Sequence, residues 1–283
     1  ILSRKSAADY RPMTVSKELS GKYCGDNMYQ LLARQAISRL SGYFIVNPVL
    51  AEKIQTEILS IYDGLIDFYQ QQGMTDARLL LMLDKLNYQG NDISRGGVNE
   101  NLRLTDEQVI TLLKQWAEEF SASPLCGEVY CQLAERYDRM QDYTAKLHAA
   151  QTGLKKYPQS PSANDLKEQA AEVLTPRLVV EIPFAYPARE VDLKVKYRNL
   201  TGLTIELYRM NLPVTSNILK EEITASTVSR YGKLVGTRHY QLAATPDYME
   251  TDTLLRYKFP TEGIYILKSI PDGHRKYTAY GKA

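Results

Sequence analysis

Residues 177–210, RLVVEIPFAYPAREVDLKVKYRNLTGLTIELYRM, decide the fold. Side chains along a strand point alternately to its two faces, so a strand with one buried face is apolar at every second position. Leu178, Val180 and Ile182 follow that rule. Val191, Leu193, Val195 and Tyr197 follow it more cleanly, against Asp192, Lys194, Lys196 and Arg198. Leu203, Ile205, Leu207 and Tyr208 form a third run. Pro183 and Pro187 punctuate the first gap, and Thr201-Gly202 make the second turn. Period two with one wet face is the pattern of an antiparallel sheet.

The same texture continues to the end of the chain. Leu234–Leu242, Thr251–Phe259 and Gly263–Ile270 are expected strands, and Lys276–Tyr280 begins another. Thr251–Phe259 and Gly263–Ile270 are expected to form a hairpin through Pro260–Gly263. Residues 212–230 look like a long irregular surface connection. No helix-length segment separates the strands, which argues against a parallel α/β fold. About seven short strands over residues 176–283 predict an antiparallel β-sandwich of the immunoglobulin or fibronectin type III kind.

Upstream, residues 1–175 are helical in pattern. A polar lead-in with Pro12, Gly21 and Gly25 ends at Asp26 or Asn27, either of which can cap a helix. Met28, Leu31, Leu32, Ala36, Ile37 and Leu40 form an apolar stripe that Ser41-Gly42 stops. A second helix is expected from Pro48 to Gln72, inward at Leu50, Ile54, Ile58, Ile61, Leu65 and Tyr69, with Gly73 as its stop. A third starts at Thr75-Asp76, with Leu79, Leu80, Met82, Leu83 and Leu86 apolar, and a loop of glycines and asparagines follows over residues 90–104. Thr105 and Gln108 form a capping box for a helix inward at Val109, Leu112, Leu113, Trp116 and Phe120.

Residues 123–138 and 142–157 are predicted helices around a tight Met140-Gln141-Asp142 turn. Pro158 closes the second, and a last helix covers residues 163–174 before Pro176. Leu133, Ala134, Tyr137, Ala145, Leu154 and Pro158 fall near tetratricopeptide-type positions, without a strict period upstream. The expected architecture is multidomain, α then β. A stack of TPR-like helical hairpins over residues 1–175 precedes the sandwich over residues 176–283.

Composition narrows the partners. Thirty-five basic and 33 acidic residues leave a net charge of +2, too weak a field to argue for nucleic acid. No run of 18 apolar residues suggests a membrane span. The first residues, ILSRKSAADY, lack an apolar signal region, so any signal peptide is absent or already removed. The 21 tyrosines against 5 phenylalanines and 1 tryptophan suggest rings with polar tips at an interaction surface.

The order of these parts resembles the N-terminal region of large bacterial alpha-2-macroglobulin-family proteins of the Bacteroidetes type. The resemblance covers most of the chain and is best over residues 124–283. Its most specific elements are Val195–Leu200 (VKYRNL), Ile205–Arg209 (IELYR) and Gly263-Ile264-Tyr265. It implies a macroglobulin-like seven-stranded domain and a non-catalytic fragment that would continue into further such domains. It further implies a cell-envelope protease inhibitor in the periplasm or at the cell surface. Proteases would be partners of the whole protein, and a membrane would be met only through an anchor outside this chain. The alternative is an adaptor of helical repeats and a sandwich, binding a peptide, glycan or partner subunit at the cell surface. It predicts a concave, tyrosine-lined groove between helical hairpins.

Reactive motifs are weak. Cys126-Gly127-Glu128-Val129 echoes the thioester motif of that family, but Val129 stands where a glutamine is required and the segment lies far upstream of the family's site. Cys24, Cys126 and Cys131 do not make a disulfide framework and are expected as buried free thiols. His148, His239 and His274 have no second ligand at metal spacing. Asp84 and Asp142 are expected as solvated or capping residues, and Asn199-Leu200-Thr201 fits a glycosylation sequon at a strand end. No residue is assigned as catalytic, cofactor-binding or metal-binding, no cofactor is expected, and an enzyme is the least favoured class.

Overall fold

The computed structural model describes residues 28–41, 47–90, 102–182, 190–211 and 223–282. The lead-in and its cap, Cys24, Gly42, most of the loop over residues 90–104, Pro183, Pro187 and residues 212–222 lie outside the described residues. The chain divides into two compact units, residues 1–170 and 171–283. Helices come first and antiparallel sheets follow.

In the first unit the helices are α1 (Met28–Ser41), α2 (Pro48–Gln71), α3 (Thr75–Gly90), α4 (Asp106–Glu119), α5 (Cys126–Arg139) and α6 (Tyr143–Lys156). Helix α7 (Ala163–Leu174) begins in this unit and ends in the second. Local chemistry sets several boundaries. Asn47 Oδ1 accepts from the amides of Val49 and Leu50 at 3.0 and 3.2 Å, and Pro48 occupies the first turn of α2, where its missing N–H costs nothing. Gly73, at φ +66°, ends that helix. The capping box of α4 forms as expected: Thr105 Oγ1 accepts from Gln108 N at 3.3 Å, and Gln108 Oε1 accepts from Thr105 N at 2.9 Å.

Helices α2 and α3 run antiparallel: only residues 72–74 join them, and Tyr62 and Asp84, equally far from that turn on either side, are hydrogen-bonded. The α1–α2 face differs from the predicted stripe. Leu31 and Leu50 are exposed, at 38% and 50%, whereas Gln30 is buried because its Oε1 accepts the hydroxyl of buried Tyr69 at 3.1 Å. The inward line of α2 runs Ala51, Gln55, Ile58, Tyr62, Leu65 and Tyr69. Periodicity alone placed its start one residue early, since buried glutamines do not register as apolar.

The second unit holds β1 (Arg177–Glu181), β2 (Glu190–Arg198), β3 (Gly202–Met210), α8 (Ala225–Tyr231), β4 (Gly232–Gln241), β5 (Thr251–Lys258), β6 (Tyr265–Pro271) and β7 (Ala279–Lys282). One sheet has the order β1-β2-β5 and the other β4-β3-β6-β7, with every pairing antiparallel. Leu193, Val195, Tyr197, Leu255 and Tyr257 of the first sheet share one core with Leu203, Ile205, Leu207, Tyr265 and Leu267 of the second. Two sheets packed face to face through alternating side chains make a β-sandwich.

Three expectations need correction. First, β5 and β6 are not a hairpin: β5 pairs with β2, and β6 pairs with β3 and β7, so the chain crosses between sheets at residues 259–264. Phe259 and Tyr265, both buried, pack at 5.6 Å between ring centroids inside that crossing, and this inward packing outweighs a tight turn. Second, the connection before β4 contains α8, capped by Thr224. Val228 of α8 covers Met210 and Ile266 on the outer face of the second sheet, with Tyr208 beside them. Tyr208 therefore lies opposite the Leu203, Ile205 and Leu207 face. Third, Arg198 is buried and not solvated. Its guanidinium donates to the Glu172 carbonyl at 2.9 Å, where the last turn of α7 leaves its carbonyls without helical partners.

Candidate functional site

An open groove of about 890 Å³ lies on the first unit, between α4, α5 and α6. Helical spacing builds it. Lys114, Ala117, Glu118 and Ser121 line one flank, Tyr130, Leu133 and Tyr137 the middle, and Ala145, His148 and Ala149 the other flank. Alanines and Leu133 form an apolar floor, and the rim carries charges of both signs.

The tyrosines are fixed by their surroundings. Gly153 of α6 lies so close to Tyr130 that an added Cβ would stand 2.6 Å from the Tyr130 Cβ, so the absent side chain lets the two helices meet. Tyr130 and Tyr157 pack at 5.9 Å between centroids, and the Tyr157 hydroxyl donates to the Ser121 carbonyl at 2.9 Å. Burial pushes the Tyr157 hydroxyl well above its usual pKa, reinforced by its contact with Cys126. Lys156 Nζ lies 5.7 Å from the Tyr130 ring centroid and Lys114 Nζ 5.9 Å from that of Tyr137. Both ammonium groups therefore rest on aromatic faces at the rim.

Two cations on α5 and α6, Arg136 and Lys146, are buried but paired. Arg136 Nη1 is 3.2 Å from Asp106 Oδ1, and Lys146 Nζ is 2.6 Å from Asp138 Oδ1. They tie α5 to α4 and α6. Sequence reading passed over both, because a charged residue inside an apolar stripe looks like a break in the pattern. Asp142 does cap α6, accepting from Ala145 N at 2.9 Å, and Gln141 takes φ +59° in the turn before it.

The structure separates the remaining singled-out residues. Cys126 and Cys131 are buried free thiols. Burial raises the pKa of both, and the nearby carboxylates of Glu135, Glu128 and Asp165 help push Cys131 up to about 12, which makes it a poor nucleophile. Glu128 accepts from Ser162 N at 3.0 Å, and burial raises its carboxyl pKa. Asp84 accepts the Tyr62 hydroxyl at 2.9 Å. His148 sits on the groove, while His239 pairs with Asp272 at 2.8 Å on the other unit. Asn199 is committed as well: its amide donates to the Val173 carbonyl at 2.7 Å. Among the described residues, no group of three or more His, Cys, Asp and Glu is placed to hold a metal ion. No helix among them is long and apolar enough to cross a membrane.

The groove residues were not assigned from sequence as a set. The available signal was the seven-residue spacing of Tyr130 and Tyr137, which places both rings on one helical face. Against known proteins, no family model matches the chain and no curated protein is similar to it in sequence. Among solved structures, a superoxide reductase (neelaredoxin) from Ignicoccus hospitalis aligns over 41% of this chain and 83% of its own, at 16% identity and a TM-score of 0.21. A likeness at that level defines neither fold nor activity.

Proposed function

We propose that this chain is a non-catalytic interaction module whose helical unit receives a peptide segment of a partner protein. The groove between α4, α5 and α6 carries this reading. It combines an apolar floor, two positioned tyrosines and a rim of both charge signs, which suits a polypeptide with mixed side chains. The α5–α6 hairpin belongs, in this reading, to the TPR-like class, with the close contact of Gly153 and Tyr130 as its packing signature. Selection of displayed random peptides on the full chain tests it. The expected peptides lose binding to Ala145→Trp, which fills the floor, and keep binding to Ser229→Ala on the other unit. Failure to select any peptide, or equal binding to both variants, would sink the proposal.

A second reading places the module in a macroglobulin-like cell-envelope protease inhibitor. Its support is the sandwich of seven described strands, three in one sheet and four in the other, the strand number that the resemblance implies. The test uses the whole protein encoded by the gene, incubated with a protease. A trap leaves cleavage of small peptides intact and blocks cleavage of large proteins, and equal effects on both would reject it.

A further inference from the structure

We propose that β4 is a docking edge for an extended acidic strand of another protein, which would add a fifth strand to the β4-β3-β6-β7 sheet. Edge strands expose unpaired N–H and C=O groups, and folded proteins blunt them. Three of the four edges among the described residues are short or already contacted. β1 and β7 are short, and Ile182, just past β1, lies against Gly281 of β7. At β5, the Arg256 carbonyl accepts from Arg238 Nη1 at 3.1 Å and from the Tyr240 hydroxyl at 2.9 Å.

β4 carries two such devices of its own, a lysine and a bulge, yet keeps an open outer side. It is the longest strand described, at 10 residues, and no described strand pairs with its outer side. A bulge leaves Val235 without a partner on β3, since Leu207 faces Gly236 and Tyr208 faces Leu234. Leu234 and Val235 are consequently exposed side by side, at 48% and 42%.

Charge selects the occupant. β4 contains Lys233 and Arg238 and no acidic residue, and the neighbouring edge strand β5 adds exposed Arg256 and Lys258 against one exposed acid, Asp252. Two copies of β4 laid together would bring like charges to one edge, which disfavours self-pairing. A strand alternating carboxylates with apolar residues would instead meet the cations and cover Leu234 and Val235, while its backbone completes the ladder.

The probe is a fluorescein-labelled peptide of about ten residues alternating Glu and Val, long enough to match the edge. Titrated into the full chain and read by anisotropy, it is expected to bind saturably and to weaken in about 0.5 M salt. Amide exchange is expected to slow over residues 232–241. Methylating alternate peptide nitrogens should cost more than roughly tenfold, because several ladder hydrogen bonds vanish together. Lys233→Glu should cost up to about fivefold with an unchanged melting curve. Absence of saturable binding, equal binding of the N-methylated peptide, or protection elsewhere would overturn the proposal. So would a dimer protected at β4 without peptide, which would make a second copy the occupant.

Discussion

Asn199 shows how one side chain can decide between two readings of the same motif. It begins a sequon, yet its backbone sits at φ +56° and its amide donates to Val173 at 2.7 Å. An amide nitrogen held against a helix end is not presented for modification. Expressed in a glycosylating host, the chain is expected to carry no sugar at Asn199, and a glycopeptide found there by mass spectrometry would contradict the structure. Asn199→Ala loses the hydrogen bond and puts alanine, which tolerates the left-handed region less well than asparagine, at φ +56°, a combined cost of about 2 kcal/mol. Asn199→Gly keeps the conformation and should cost less, so urea unfolding of the pair separates the two causes. Gly153 makes the complementary case, since Gly153→Ala forces a methyl into Tyr130 and should destabilise by about 1–3 kcal/mol. A neutral Gly153→Ala in the same assay would mean the α5–α6 contact is looser than described.

At the level of elements, most starts and stops were legible where the chemistry is local. The capping box at Thr105 and Gln108, the Asp142 cap and the Gly73 stop all depend on residues a few positions apart. Thr105→Ala is expected to cost about 1 kcal/mol, and adding Gln108→Ala should cost less than it does alone, because the two bonds are reciprocal. Additive losses in thermal melts would show the box to be two unrelated contacts. Legibility failed where a distant partner decides. Buried Gln30 needs Tyr69, buried Arg198 needs the end of α7, and the β5–β6 crossing needs Phe259 and Tyr265 to turn inward together. No spacing rule contains those partners. The groove was partly legible: tyrosine excess implied an aromatic surface, but the residues lining it converge from three helices.

Across the whole molecule, the buried carboxyls of the first unit and Glu206 of the second should respond to acid in opposite senses. In the first, burial raises the pKa of Glu128 and Glu135, while backbone and Thr105 contacts lower that of exposed Glu107. In the second, Glu206 is lowered chiefly by its hydrogen bond with Lys268, at 2.8 Å. A carboxyl raised on folding binds its proton more tightly in the native state, so its contribution to stability falls as pH rises above about 4.5 and levels off above the folded value. A carboxyl lowered on folding stabilises above its unfolded pKa, and that contribution is lost as pH falls through the folded value. Trp116 is the only tryptophan and reports on the first unit, while amide exchange at Ile205 and Leu267 reports on the sandwich core. Glu128→Gln keeps an oxygen to accept from Ser162 N and removes the buried charge. It is expected to raise the Trp116 melting point at pH 7 and to change it little near pH 4. Glu206→Gln should weaken the sandwich at pH 7 and leave Trp116 unmoved. If each substitution shifts both probes together, the two cores melt in a common unfolding step and not independently.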